Sequence, residues 1–317
     1  MKVFITREIP EIAIKLLHKN KFSIVIHKGE RKISRTELIK NVRDADGVIS
    51  LLSDNFDESV ISEMKKCKVI ANYAVGFNNI NLKYAREKGI VVTNTPDVLT
   101  DATADLAIAL ALSCARRIFE GDKIIRNNKF TGWSPKLLLG FEMRGKIFGI
   151  IGSGRIGTAT AIRAHAFGTK IIYFSNSINL ELQNKTAAKK VSLNYLLKNS
   201  DFISIHLPLT EKTYHLLDKS KLMLLKKTSI LINTARGEII DEKALIEKFK
   251  KKEIFAAGLD VYENEPEVNN ELLKLKNVVL LPHIGSATVE ARNKMAVLSA
   301  KNIINVLKGK MPITQVN

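Results

Sequence analysis

KIFGIIGSGRIG, residues 146–157, is a short apolar run followed by three glycines in the order G-x-G-x-x-G. The run reads as a buried strand, and RIGTATAIRAHAFG after it reads as a helix. In that setting each glycine has a physical task. Gly152 permits the tight turn, Gly154 lets the backbone approach a pyrophosphate, and Gly157 lets helix and strand pack closely. The helix N-terminus then offers unpaired N–H groups and a partial positive charge to phosphates, with Arg155 placed to add a charge-assisted contact. The segment therefore predicts a dinucleotide site.

The strand that follows, KIIYFS (170–175), ends in Ser175, Asn176 and Ser177. An acid near this end would bond the adenosine ribose 2′-hydroxyl and repel a 2′-phosphate. No Asp or Glu occurs from Thr158 to Leu180. The neutral trio is able to accept a phosphate, and Lys185, Lys189 and Lys190 lie downstream within reach. NADP(H) is thus favoured. The Arg that usually meets that phosphate is absent too, so NAD(H) use is also admitted.

Outward from this loop, strands near five residues alternate with helices near ten on both sides. KVFIT, FSIVIH, GVISLL, KVIANYA and IVVTNT are the strands of the first hundred residues. From residue 145 the alternation restarts with KIFGIIG, KIIYFS, DFISIHL, SILINTA, IFAAGLDV and NVVLLPHI. This predicts an α/β protein with two βαβ runs and mostly parallel sheets. Residues 100–128 read as one long helix, apolar almost all round from 104 to 119, and so buried between domains or subunits. A last helix over 288–310 is expected to return to the first run and make it discontinuous.

Composition narrows the class. The chain has 317 residues, 45% hydrophobic and 26% charged, enough for two domains with cores. No apolar run is long enough to span a bilayer, the start reads as a strand rather than a signal peptide, and Cys67 and Cys114 alone suggest a reducing, cytoplasmic setting. The formal charge of +18 raises a nucleic-acid reading. Its lysines are scattered, without an arginine-rich arm, zinc-finger spacing or aromatic-studded basic strand, so a solvated surface that attracts small anions is the better reading, with no metal, nucleic acid or membrane called for.

Three strings sit just past apolar strands: LINTARGEIID carries Arg236, GLDVYENEP carries Asp260, Glu263 and Glu265, and LLPHIGSA carries His283. In an open parallel sheet the carboxyl ends of strands face the ligand crevice. An imidazole beside a carboxylate is a general acid/base pair, and an Arg nearby grips a keto acid bidentately. His206, in SIHLPLT, lies at another strand end without a carboxylate string.

The order GSGRIG, HLPLT, INTARG, GLDVYENEP, PHIGSAT resembles the D-isomer-specific 2-hydroxyacid dehydrogenases, closest to glyoxylate (hydroxypyruvate) reductases. LLSDNFD, NYAVGFNNI and VTNTPDVLTDATADLA extend the likeness over nearly the whole chain. The resemblance implies two Rossmann-like domains with a cleft between them. These are a discontinuous substrate-binding (lid) domain of 1–99 and 287–317, and a dinucleotide-binding domain of 100–286, through which a homodimer forms. It implies Arg236 on the substrate carboxylate and carbonyl, Glu265 orienting His283, and His283 as proton donor beside the cofactor. Val75 and Gly76 would offer N–H groups to the substrate carboxylate, and Leu52 and Ser53 would line its pocket. Around the cofactor, Thr103, Arg155 and Ile156, Leu207 and Pro208, Thr234 and Ala235, Asp260 and Gly285 would make contacts, together with Gly152, Gly154, Gly157 and Ser175–Ser177. The implied reaction is reduction of a small 2-keto acid to the D-2-hydroxy acid, glyoxylate and hydroxypyruvate first. D-lactate or D-3-phosphoglycerate chemistry is the near alternative, and a non-catalytic NAD(H)-sensing corepressor the distant one. The absence of a further domain after Asn317 speaks against the long phosphoglycerate form. One departure concerns PKLLLG (135–140): relatives often carry Trp where this chain has Leu137, and Trp133 lies a helical turn earlier.

Overall fold

A computed structural model describes residues 1–29 and 31–317. The chain splits into two compact units, Met1–Leu99 with Ser286–Asn317, and Thr100–Gly285. No helix among the described residues is long and apolar enough to cross a membrane.

The first unit holds β1 (Lys2–Ile5), β2 (Ser23–Ile26), β3 (Gly47–Ser50), β4 (Val69–Asn72) and β5 (Val91–Thr93). They form a parallel sheet in the order β2-β1-β3-β4-β5. β3 and β4 are buried at every residue, as expected of central strands covered on both faces. The helix Val289–Leu307 lies against β3, β4 and the helix Glu11–Lys19. The approach is close at Gly47, where a Cβ would sit 3.2 Å from Ile303. The C-terminal residues then stitch onto β5: the Asn317 side chain accepts from Val92 N–H (2.8 Å) and donates to Ile90 O (2.7 Å).

The second unit holds β6 (Ile147–Ile151), β7 (Lys170–Phe174), β8 (Lys189–Lys190), β9 (Phe202–Ile205), β10 (Ile230–Asn233), β11 (Ala256–Leu259) and β12 (Val278–Leu280). All pair in parallel, in the order β12-β11-β10-β9-β6-β7-β8. The chain leaves β6 toward β7 and β8, then crosses back to β9 on the other side of β6. That reversal creates a topological switch point at the carboxyl ends of β6 and β9, where open α/β sheets hold ligands.

The single helix expected over 100–128 is two helices, Thr100–Ala115 and Ile118–Arg126. Arg117 lies at φ 54°, in the left-handed region that ends helices. The Ala115 carbonyl accepts from Phe141 N–H (2.9 Å), and Gly140 packs so tightly on that carbonyl that a Cβ would collide with it. A neighbouring segment thus takes the helix end. The first helix packs within its own unit, on the helix Arg155–Ala166 and on β10 and β11. The second buries no residue and leaves Ile118, Phe119 and Ile125 exposed. Residues 131–140 are irregular with a turn, so Trp133 and Leu137 are not one helical turn apart.

Candidate active site

The glycine loop sits at the switch point. Gly152 has φ 97°, and a Cβ there would press on the His206 carbonyl (2.7 Å) and the Leu207 side chain (2.8 Å). Leu207, past β9, therefore borders the loop, and Pro208 follows it in the chain. At Gly157 a Cβ would collide with the Gly152 carbonyl oxygen, so the helix reaches the turn only without a side chain. A Cβ on Gly154 would meet nothing within 4 Å, which leaves open room at the N-cap of the helix Arg155–Ala166. Arg155 and Ile156 open that helix. Asn179 Nδ2 donates to Ser153 O (2.7 Å) and Thr158 Oγ1 (2.9 Å), holding the turn from the side of β7. This cradle fits a pyrophosphate.

Arg236, Glu265 and His283 follow β10, β11 and β12, three adjacent strands. His283 Nδ1 and Glu265 Oε2 are 2.8 Å apart. The other carboxylate oxygen of Glu265 accepts from Tyr262 N–H (3.0 Å). Burial opposes ionisation of Glu265. The His283 hydrogen bond and charge, the Tyr262 N–H and the Arg236 charge outweigh it and hold the carboxyl below its usual range. With Glu265 ionised, Nδ1 is the donor, which leaves Nε2 as the atom that can carry a transferable proton. Burial pulls the Arg236 guanidinium down, against the charges of Glu265 and Glu238. Gly237 packs on the Tyr262 backbone where any side chain would collide, so the ARG turn and the Glu265 loop are locked together.

Asp260 supplies the rigidity under His283. It is fully buried, and its two oxygens accept from Ile284 N–H (2.8 Å) and Gly285 N–H (2.7 Å), while its carbonyl accepts from His283 N–H (3.0 Å). These bonds hold His283 at φ 54°, a conformation few non-glycine residues adopt. Burial pushes the Asp260 carboxyl up, opposed by the Ile284 N–H, the His283 charge and the Gly285 N–H. Thr103 Oγ1 donates to Gly285 O (3.1 Å), which ties the same turn to the helix Thr100–Ala115.

Thr234 and Ala235 lie in the turn after β10, shaped by Asn233, whose side chain bonds Arg236 O (2.8 Å) and Ala235 N–H (3.0 Å). The Thr234 hydroxyl is buried without a hydrogen-bond partner, a polar atom that a bound group would satisfy. Ser175–Ser177 form a turn after β7, closed by Ser175 Oγ donating to Ser177 O (2.7 Å). His206 bonds Ser204 Oγ (2.9 Å), and burial pushes its imidazole down to about 3, so it stays neutral at pH 7.

In the first unit, Leu52 and Ser53 follow β3, and Val75 and Gly76 follow β4. The Ala74 carbonyl accepts from Thr95 N–H and the Val75 carbonyl from Asn94 Nδ2, each at 2.8 Å. In a trans peptide the N–H points opposite to the C=O. The N–H groups of Val75 and Gly76 are therefore turned away from Thr95 and Asn94.

Two features were not foreseen. His215 Nε2 lies 2.8 Å from Glu263 Oε1, a second imidazole–carboxylate pair, and His215 N–H bonds Glu238 O (2.8 Å). It braces the Arg236 turn and the Glu265 loop from the side. Asn94 and Asn72 pin the Val75–Gly76 carbonyls. Asn94 stands at a strand end in VTNTP, a position that could have marked it.

The model of the D-isomer specific 2-hydroxyacid dehydrogenase NAD binding domain matches residues 108–285. The chain is 50% identical to a glyoxylate reductase of Thermococcus litoralis over 100% of this chain and 96% of that one. The chain belongs to the D-isomer-specific 2-hydroxyacid dehydrogenases. Solved structures agree with this dehydrogenase throughout. A glyoxylate reductase from Paecilomyes thermophila superposes with TM-score 0.89 at 33% identity, covering 100% of this chain and 98% of that one. An NADPH-dependent glyoxylate/hydroxypyruvate reductase from Sinorhizobium meliloti, in complex with NADP and malonate, gives TM-score 0.87 at 30% identity, covering 99% and 96%. The second unit is thus the NAD-binding domain of a 2-hydroxyacid dehydrogenase with two Rossmann-like domains, and its cofactor is a nicotinamide dinucleotide.

Proposed function

We propose that this dehydrogenase reduces glyoxylate to glycolate and hydroxypyruvate to D-glycerate, with NADP(H) preferred. The observation that carries the reading is the 2.8 Å His283–Glu265 pair beside Arg236, past three adjacent strands of the NAD-binding domain. The nicotinamide, when bound, supplies hydride. His283 Nε2 gives its proton to the carbonyl oxygen as negative charge builds there, a contribution of roughly 10²–10⁴-fold. Glu265 accepts from Nδ1 and keeps the imidazole aimed. Arg236 grips the carboxylate and carbonyl of the keto acid and fixes its face. The first unit binds the keto acid, with the Val75 and Gly76 N–H groups on its carboxylate and Leu52 and Ser53 along its side. Gly152, Gly154, Arg155, Ile156 and Gly157 hold the pyrophosphate; Ser175–Ser177, Leu207 and Pro208 flank the adenosine; Thr103, Thr234, Ala235, Asp260 and Gly285 surround the nicotinamide.

A homodimer through the NAD-binding domain is part of this reading. Its support is the run of exposed apolar side chains Ile118, Phe119, Ile125, Phe130, Trp133 and Leu139. Light scattering should give twice the chain mass. The activity is tested by a panel of NADPH and NADH against glyoxylate, hydroxypyruvate, pyruvate and phosphohydroxypyruvate, followed by loss of the reduced nicotinamide absorbance. Turnover of the first two exceeds the others. No cofactor consumption with any of the four would refute the proposal.

A further inference from the structure

We propose that Lys190 is the residue that selects the phosphorylated cofactor, by binding the adenosine 2′-phosphate. The assignment rests on the NADP(H) reading above and names the cation that reading lacks. β8 is only two residues long, and both are lysines. It pairs in parallel with the end of β7, Ile172 opposite Lys189 and Tyr173 opposite Lys190. That pairing carries a cation to the strand end where the ribose of a dinucleotide lies.

Lys190 Nζ donates to the Asn176 carbonyl at 3.0 Å, inside the Ser175–Ser177 turn. An ammonium has three donors, so this one bond anchors it and leaves two for a ligand. Two other lysines lie near. Lys185 Nζ is paired with Glu181 at 2.7 Å, and Lys189 borders the same depression as Lys190, but it is Lys190 whose ammonium reaches the turn itself. The paired Glu181 is the first acid after residue 157, so no unpaired carboxylate of the turn opposes an anion there. A depression of about 840 Å³, open to solvent and bounded by Phe174, Ser175, Ile178, Gln183, Lys189 and Lys190, adjoins the turn and has room for the ligand. The pairing of β7 with β8 thus restores, from a different strand, the positive charge that the neutral Ser-Asn-Ser sequence omits.

The test is calorimetric binding of 2′,5′-ADP and of ADP to the wild type, Lys190→Met and Lys190→Arg, with KM for NADPH and NADH on the same proteins. Lys190→Met should weaken 2′,5′-ADP and raise the NADPH KM about tenfold, the loss of one exposed charge-assisted contact. ADP affinity and the NADH KM should hold within twofold, and Lys190→Arg should keep most of the preference. Equal weakening of both nucleotides would make Lys190 a structural residue and overturn the assignment. So would a wild type that prefers 2′,5′-ADP and a Lys190→Met variant that prefers it equally. A wild type that binds ADP as tightly as 2′,5′-ADP overturns the NADP(H) reading itself, and this assignment with it.

Discussion

Replacing Glu265 by Gln keeps the size of the side chain and removes its charge. In the wild type the carboxylate stabilises the imidazolium from 2.8 Å. With charge centres about 4 Å apart, that attraction is about 4 kcal/mol at an effective dielectric constant of 20. Both side chains are about one-third exposed, 31% for His283 and 34% for Glu265, so solvent screening reduces it to about 2 kcal/mol. At 1.36 kcal/mol per decade this is about 30-fold in the rate over the barrier. Steady-state kinetics with glyoxylate should therefore show kcat down by about 30-fold with the cofactor KM little changed. The Gln amide must also present its NH₂ to one of two donors, His283 Nδ1–H or Tyr262 N–H, so some loss of thermal stability accompanies the change. A variant within threefold of wild-type kcat would refute this reasoning, because Glu265 would then not be acting on the charge that His283 carries in proton transfer.

Other expectations follow from the same geometry. Arg236→Lys loses the planar fork, so kcat/KM for the keto acid should fall about 10–100-fold, through both constants, while cofactor binding measured by fluorescence stays unchanged. Asp260→Asn leaves one of the Ile284 and Gly285 N–H groups without an acceptor, at about 1–3 kcal/mol, so calorimetry should show a lowered Tm and amide exchange at those two residues should speed up. Glu265 is held below its ordinary 4.5 in the folded state, so its ionised form stabilises the fold. That contribution is complete well above 4.5 and lost as pH falls through the folded value, so the Tm gap between wild type and Glu265→Gln should narrow in acid.

The adjacency of Arg236, Glu265 and His283 was legible because a parallel sheet puts successive strand ends side by side, and strands were readable from apolar runs. The glycine loop was legible because Gly152 and Gly157 stand where a side chain would collide, at the spacing a strand-to-helix turn requires. β8 was hidden because two lysines carry no apolar pattern; β7, its neighbour in the sheet, makes them a strand. The break at Arg117 was hidden because nothing between Arg116 and Ile118 is a helix breaker. Its cause is Gly140 and Phe141, more than twenty residues away, which take the helix end. His215 escaped notice because its partner Glu263 lies 48 positions on and meets it only through the tertiary fold.

The most direct measurement is single-turnover reduction of glyoxylate by His283→Ala, with NADPH binding measured on the same protein. The account predicts a rate at least about 100-fold below wild type and a cofactor affinity close to it. A variant that binds NADPH normally and still reduces glyoxylate near the wild-type rate would place the proton donor elsewhere and contradict the account.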